Sequence, residues 1–175
     1  MKVSVMNGQM RSGKTSFEKM VKEIAAARGK KVAILSTIDI VKDFAKGMGW
    51  DGRKTREDRR FLSDLKDALT RWKDVPYQEI KYRINQLEED GTDLVFVDCR
   101  EPEEIQRFVN DYNALTVIVQ RGEFIQIVGN HADENVLNYQ YDITIDNSRG
   151  LNELMQEATI FVETFIEEDE KYESD

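Results

Sequence analysis

Cysteine, histidine and proline are almost missing from this sequence: there is one cysteine, Cys99, one histidine, His131, and two prolines in 175 residues. A lone cysteine closes no intramolecular disulfide, and one cysteine with one histidine falls short of a structural zinc site. Long apolar runs are lacking too. No stretch reaches the roughly 20 residues that cross a bilayer, and the opening M-K-V-S-V-M-N-G lacks the apolar region of a secretion signal. The expectation is a soluble, cytoplasmic protein. Net positive charge is also absent. The formal charge is -9 and the isoelectric point about 4.8, which argues against broad nucleic-acid binding, because that needs a basic stripe to displace counterions. A small anionic ligand fits only if its positive charge is local. One basic cluster stands out, Arg53, Lys54, Arg56, Arg59 and Arg60, and it reads either as a solvated helix face or as an anion site.

What is present is an alternation. Short runs rich in valine and isoleucine recur at residues 2 to 6, 31 to 35, 93 to 98, 115 to 119 and 141 to 146, and read as buried strands. Between them lie helical periodicities: Phe17, Met20, Val21 and Ile24, stopped by Arg28 and Gly29; Tyr77, Ile80, Ile84 and Leu87, ahead of Gly91; and Ile105, Phe108, Val109 and Tyr112, following Pro102. The last stripe is the clearest, with Leu151, Leu154, Met155, Ala158, Phe161, Val162, Phe165 and Ile166 on one face. Strands alternating with helices imply parallel pairing, hence a three-layer α/β domain with a five-stranded parallel sheet covered on both faces. Residues 37 to 90 are the exception. They are almost wholly helical in pattern, broken by Gly47, Gly49 and Gly52, and are expected to form a helical lobe beside the sheet. The expected organisation is a single domain over 1 to 166 and an acidic, disordered tail over 167 to 175.

The strongest local signal is G-Q-M-R-S-G-K-T from Gly8 to Thr15, with an apolar strand before it and an amphipathic helix after it. The spacing G-x-x-x-x-G-K-[ST] lets flexible glycines turn backbone N–H groups inward around phosphates at the positive end of the following helix. Gly8, Met10, Arg11, Ser12, Gly13, Lys14, Thr15 and Ser16 are therefore expected to bind a nucleoside triphosphate. Lys14 would reach the β- and γ-phosphates, the Thr15 hydroxyl would ligate magnesium, and Ser16 would touch the α-phosphate.

A GTPase should carry a guanine-reading N-K-x-D, and none exists here. The third strand ends in Asp98-Cys99-Arg100-Glu101-Pro102. Asp98 suits holding magnesium or its waters and Arg100 suits gripping an acceptor's phosphate, with a helix cap and a surface ion pair as the respective alternatives.

Four stretches taken together, NGQMRSGKTS, GWDGRKTREDRRFLSDL, VFVDCREPEEI and NHADENVLNYQYDITIDNSRGLNEL, resemble the bacteriophage deoxynucleoside monophosphate kinases and their uncharacterised relatives. These have the P-loop nucleoside monophosphate kinase fold and are akin to dephospho-CoA kinase. The resemblance spans nearly the whole chain in order. It implies ATP- and magnesium-dependent phosphoryl transfer to a (deoxy)nucleoside monophosphate, with Asp98 and Arg100 at the acceptor end and Arg59 and Arg60 approaching the acceptor phosphate. It also implies that Ser36-Thr37-Ile38-Asp39 opens an acceptor-binding helix. Asp39 and Lys42 become substrate candidates, with capping and surface exposure as the alternatives. Asn147 matches the position at which these kinases pack a loop against adenine. His131 and Glu134 match the pattern without an assigned chemistry.

Two departures bear on activity. Nucleotide kinases bring lid arginines over the transferring phosphoryl group, but here no lysine or arginine lies between Arg121 and Arg149. Arg121, Arg11 and Arg100 are the cations left for that work, and Arg121 is the catalytic candidate. The adenine turn is also one residue longer, Asn147-Ser148-Arg149-Gly150. A non-catalytic nucleotide-binding protein and a kinase of another small phosphorylated metabolite therefore stand as alternatives. The oligomeric state is not fixed by the sequence.

Overall fold

The structure is a computed structural model that describes residues 1–122, 136 and 138–167. His131, Glu134 and residues 168–175 of the acidic tail lie outside the described residues. Five strands, β1 (Lys2–Gly8), β2 (Val32–Ser36), β3 (Leu94–Asp98), β4 (Leu115–Gln120) and β5 (Ile143–Asp146), form one parallel sheet in the order β2-β3-β1-β4-β5. Each lies within two residues of the run that predicted it, because buried parallel strands are near-continuous apolar segments.

Alternation along the strands sends side chains to two cores. Met6, Leu94, Phe96, Val117 and Val119 meet α1 (Lys14–Ala27) and α6 (Leu151–Phe161), where Phe17, Val21, Leu154 and Phe161 are buried. Val3, Val5, Val95 and Val97 meet α4 (Val75–Glu89) and α5 (Pro102–Tyr112), through Tyr77, Ile80, Ile84, Ile105 and Phe108. Arg28 and Gly29 end α1 as the sequence suggested: Gly29 has φ +76° and its N–H reaches the Ala26 carbonyl. The stripe on α6 is narrower than its apolar composition, since Leu151 and Met155 remain 66% and 40% exposed. Among the described residues no helix is long and apolar enough to cross a membrane.

The helical stretch 37 to 90 divides in two. Its last helix, α4, is part of the layer that covers the sheet. The lateral pieces are α2 (Asp39–Gly47) and the 18-residue α3 (Arg56–Lys73), none of whose residues is buried. Thr55 starts α3 with a reciprocal capping box: its hydroxyl accepts from the Asp58 N–H, and its own N–H and hydroxyl donate to the Asp58 carboxylate. Those donations hold Asp58 below the usual carboxylate range. At α2 the capping pattern read from Ser36-Thr37-Ile38-Asp39 is not used. Ile38 occupies the N-cap and no side chain caps the helix.

The strand order reverses about β1. Parallel α/β sheets bind ligands in the crevice outside the C-terminal strand ends at such a point. The register aligns those ends, pairing Ser36 with Asp98, Met6 with Asp98, Gly8 with Val119 and Gln120 with Asp146. The candidate site lies along that edge.

Candidate active site

The loop after β1 has the geometry its glycines allow. A Cβ on Gly8 would fall 2.6 Å from Ser12 Oγ and 2.8 Å from the Val119 carbonyl. Gly13, at φ +99°, leaves so little room that a Cβ would sit 2.1 Å from Asn147 Nδ2. Arg11 also takes a positive φ, 66°, and the Ser12 N–H closes the turn on the Gln9 carbonyl at 3.1 Å. α1 begins at once, with the Phe17 N–H donating to the Gly13 carbonyl. Its N-terminal amides and the loop therefore open on one concavity.

Asn147, buried just beyond β5, donates from Nδ2 to the Ser12 carbonyl at 2.8 Å. It lines the cavity above the loop and braces the loop's backbone. Replacing Asn147 by alanine orphans the Ser12 carbonyl, so urea unfolding is expected to show a loss of about 1–2 kcal/mol. Unchanged stability would contradict this bracing.

Lys14 Nζ forms an ion pair with Asp98 Oδ2 and lies 3.3 Å from Glu18 Oε1. Glu18, one turn along α1, is 2% exposed. Burial first, then hydrogen bonding to and repulsion by Asp98, push its carboxyl up to about 8, although Lys14 pulls the other way. The shift favours the protonated form of Glu18 beside the Lys14–Asp98 ion pair. Periodicity passed over Glu18, yet the signal was there: four residues beyond the loop lysine is the same helix face.

Two cavities meet here. One, of about 650 Å³, is lined by the loop, Arg11, Ser16, Arg121, Asn147 and Leu151. The other, of about 480 Å³, is walled by the ends of β2 and β3 and by one face of α3. Lys14, Thr15, Lys54, Arg59 and Arg100 line both, so they stand at the junction. On α3 the lining residues are Arg59, Leu62, Ser63, Lys66 and Asp67, a helical i, i+3, i+4, i+7, i+8 set. Arg60 falls off that face; its side chain is 86% exposed, 3.9 Å from Asp64, and lines neither cavity. Asp39 is likewise outside both, paired with Lys42 at 2.9 Å, while Lys42 lines the smaller cavity.

At the base of the smaller cavity Lys66 Nζ donates to Glu104 Oε2 at 2.7 Å, and the Cys99 thiol reaches the same oxygen at 3.0 Å. Burial opposes the Lys66 ammonium, but the charge and hydrogen bond of Glu104 outweigh it and raise its pKa. Burial and Glu104 also push the Cys99 thiol well up, so it is a neutral donor. Thr37, expected in a cap, instead points its hydroxyl at the Asp98 carbonyl and Glu104, 3.5 Å from each.

A hydrated divalent cation suits the junction. Asp98 Oδ1 is buried without a hydrogen-bond partner, and Thr15 lines the same cavity. Among the described residues no group of three or more His, Cys, Asp or Glu could hold a metal alone. Phosphate oxygens and water would complete the shell, as is usual for magnesium.

A strand–loop–helix unit at the switch point of a β2-β3-β1-β4-β5 parallel sheet is the architecture of the P-loop kinase fold. The Mycobacterium tuberculosis APS kinase CysC shares this architecture, with a TM-score of 0.51 over 93% of this chain and 97% of that one, at 16% sequence identity. No family model matches the chain, and no curated protein matches it in sequence.

Proposed function

We propose that the chain is an ATP- and magnesium-dependent phosphotransferase whose acceptor is a small phosphorylated molecule, a (deoxy)nucleoside monophosphate. The observation that carries this reading is the pair of adjoining cavities, one over the phosphate loop and one walled by α3, sharing Lys14, Thr15, Lys54, Arg59 and Arg100 at their junction. A protein that only bound nucleotide would have no use for a second cationic cavity. The smaller one is lined by six lysines and arginines against three carboxylates, which suits an anionic acceptor.

In this reading the loop amides hold the donor's phosphates, and Lys14 exchanges Asp98 for the β- and γ-phosphate oxygens. Arg100 and Lys42 hold the acceptor's phosphate. An acceptor oxygen forms its bond to the γ-phosphorus as the bond from that phosphorus to the β–γ bridging oxygen breaks, leaving ADP. Thr15 and Asp98 would hold magnesium, which supplies charge neutralisation on the β- and γ-oxygens. The acceptor is already an anion, so alignment and electrostatics carry the catalysis and no strong base is needed.

No aromatic ring among the described residues lines the smaller cavity, an observation that favours the second reading, transfer to a phosphorylated metabolite without a base. Purified protein with ATP and magnesium should convert at least one acceptor in a panel of ribo- and deoxynucleoside monophosphates and small sugar or coenzyme phosphates. Turnover only with base-free acceptors selects the second reading. ATP-induced stabilisation with no turnover across the panel rejects both and leaves a nucleotide-sensing protein.

A further inference from the structure

A transferring phosphoryl group spreads negative charge over its oxygens, and a fold that carries out transfer must supply cations above it as well as below. The chain from residue 122 to 148 holds none, and its only ionisable groups that could turn cationic reduce to His131. Among the described residues, the turn before α3 and the first turn of α3 bring positive charge to the junction of the two cavities. Arg59, in the first turn of α3, reaches back across the junction until Nη1 lies 3.9 Å from Met10 Sδ in the phosphate loop. Lys54, in the glycine-containing turn that leads into α3, lines both cavities with it. Their approach has a local cause. The capping box at Thr55 fixes where α3 starts, and the Trp50 indole N–H donates to Asp58 Oδ1 at 3.2 Å, folding the preceding turn onto the helix end.

We infer that Lys54 and Arg59 are catalytic residues that neutralise the phosphoryl group in transit, so that the acceptor side of this protein does the work a basic lid does elsewhere. The inference rests on the phosphotransferase reading and goes beyond it in one respect. Lys42 and Lys66 line the acceptor cavity without lining the donor's, whereas Arg100, just beyond β3, borders both from the sheet side. Arg59 and Lys54 face both the donor's loop and the acceptor's cavity, the position of a charge that matters most midway between them.

The split between kcat and KM separates these roles. Arg59→Ala should lower kcat about 100-fold and Lys54→Ala about 10-fold, with KM for ATP and for the acceptor changed less than about 3-fold. Arg59→Lys should recover part of the loss. Arg71→Ala, about three turns further along α3, should match wild type. A second readout needs no acceptor: binding of ADP, magnesium and aluminium fluoride, a mimic of the phosphoryl group in flight, followed by thermal shift. Arg59→Ala and Lys54→Ala should weaken that complex at least about 10-fold while leaving the affinity for ADP alone unchanged. A raised acceptor KM at constant kcat, or an analogue affinity equal to wild type, overturns the inference. Wild-type protein that turns over nothing overturns the phosphotransferase reading instead, and the analogue result still decides whether Arg59 and Lys54 sense a planar phosphoryl group.

Discussion

Lys14→Ala is expected to lower phosphoryl transfer about 10³-fold and to remove the stabilisation that ATP confers, while the protein stays folded. The size of the effect follows from the place of Lys14, where both cavities meet. Without it the γ-phosphoryl loses the one ammonium that α1 aims at it, and loop amides alone hold the donor. That the fold should survive follows from Glu18. Because its surroundings favour the protonated carboxyl, deleting Lys14 leaves one uncompensated carboxylate, Asp98, and that side chain is 25% exposed. Two ionised carboxylates in the same place would be far costlier. Steady-state assays and melting curves with and without ATP check both halves. Wild-type turnover in the variant would remove Lys14 from the mechanism, and an unfolded variant would show that its role is mainly structural.

The second large effect concerns pH. Glu18 in the folded protein titrates at about 8, against an ordinary value of 4.5. Between those values the folded state holds a proton that the unfolded chain has released, so stability falls as pH rises through that window. The slope has a ceiling of about 1.4 kcal/mol per pH unit for one group. Lys14 and Asp98, the charged groups facing Glu18, oppose each other in this balance, and burial sets the sign. Glu18→Gln keeps the shape and removes the titration. The stability of the variant relative to wild type should therefore grow by about 2 kcal/mol from pH 6 to pH 8, measured by urea unfolding in EDTA. Parallel curves for the two proteins would mean that Glu18 is ionised throughout.

The strands, both cores and the phosphate loop were legible because burial leaves a period in the sequence and the loop leaves fixed spacings. The acceptor wall was legible only in part. Arg59 and Arg60 look alike in sequence, yet adjacent helical residues point about 100° apart, and only the direction in which α3 packs decides which one enters the cavity. α3 carries the apolar series Leu62, Leu65 and Leu69, half-buried rather than buried, and Arg59 falls one turn before Leu62 on that side. Thr37 and Asp39 read as a cap because the pattern is local. The structure spends the Thr37 hydroxyl on Glu104, 67 residues away, a partner no local pattern can reveal. Lys66 and Glu104 went unnoticed for the same reason. Each is an ordinary surface residue type made half-buried by a partner on another helix.

The brace from Asn147 to Ser12 ties residues 135 positions apart. The phosphate loop is spelled by the first fifteen residues of the chain, but its shape is completed by one that follows the last strand. Closing so long a span is among the slow events of folding, because chain entropy is lost before the contact compensates. A segment holding only β1 and α1 would therefore carry the whole motif without its brace. The loop's backbone is braced only once β5 has docked.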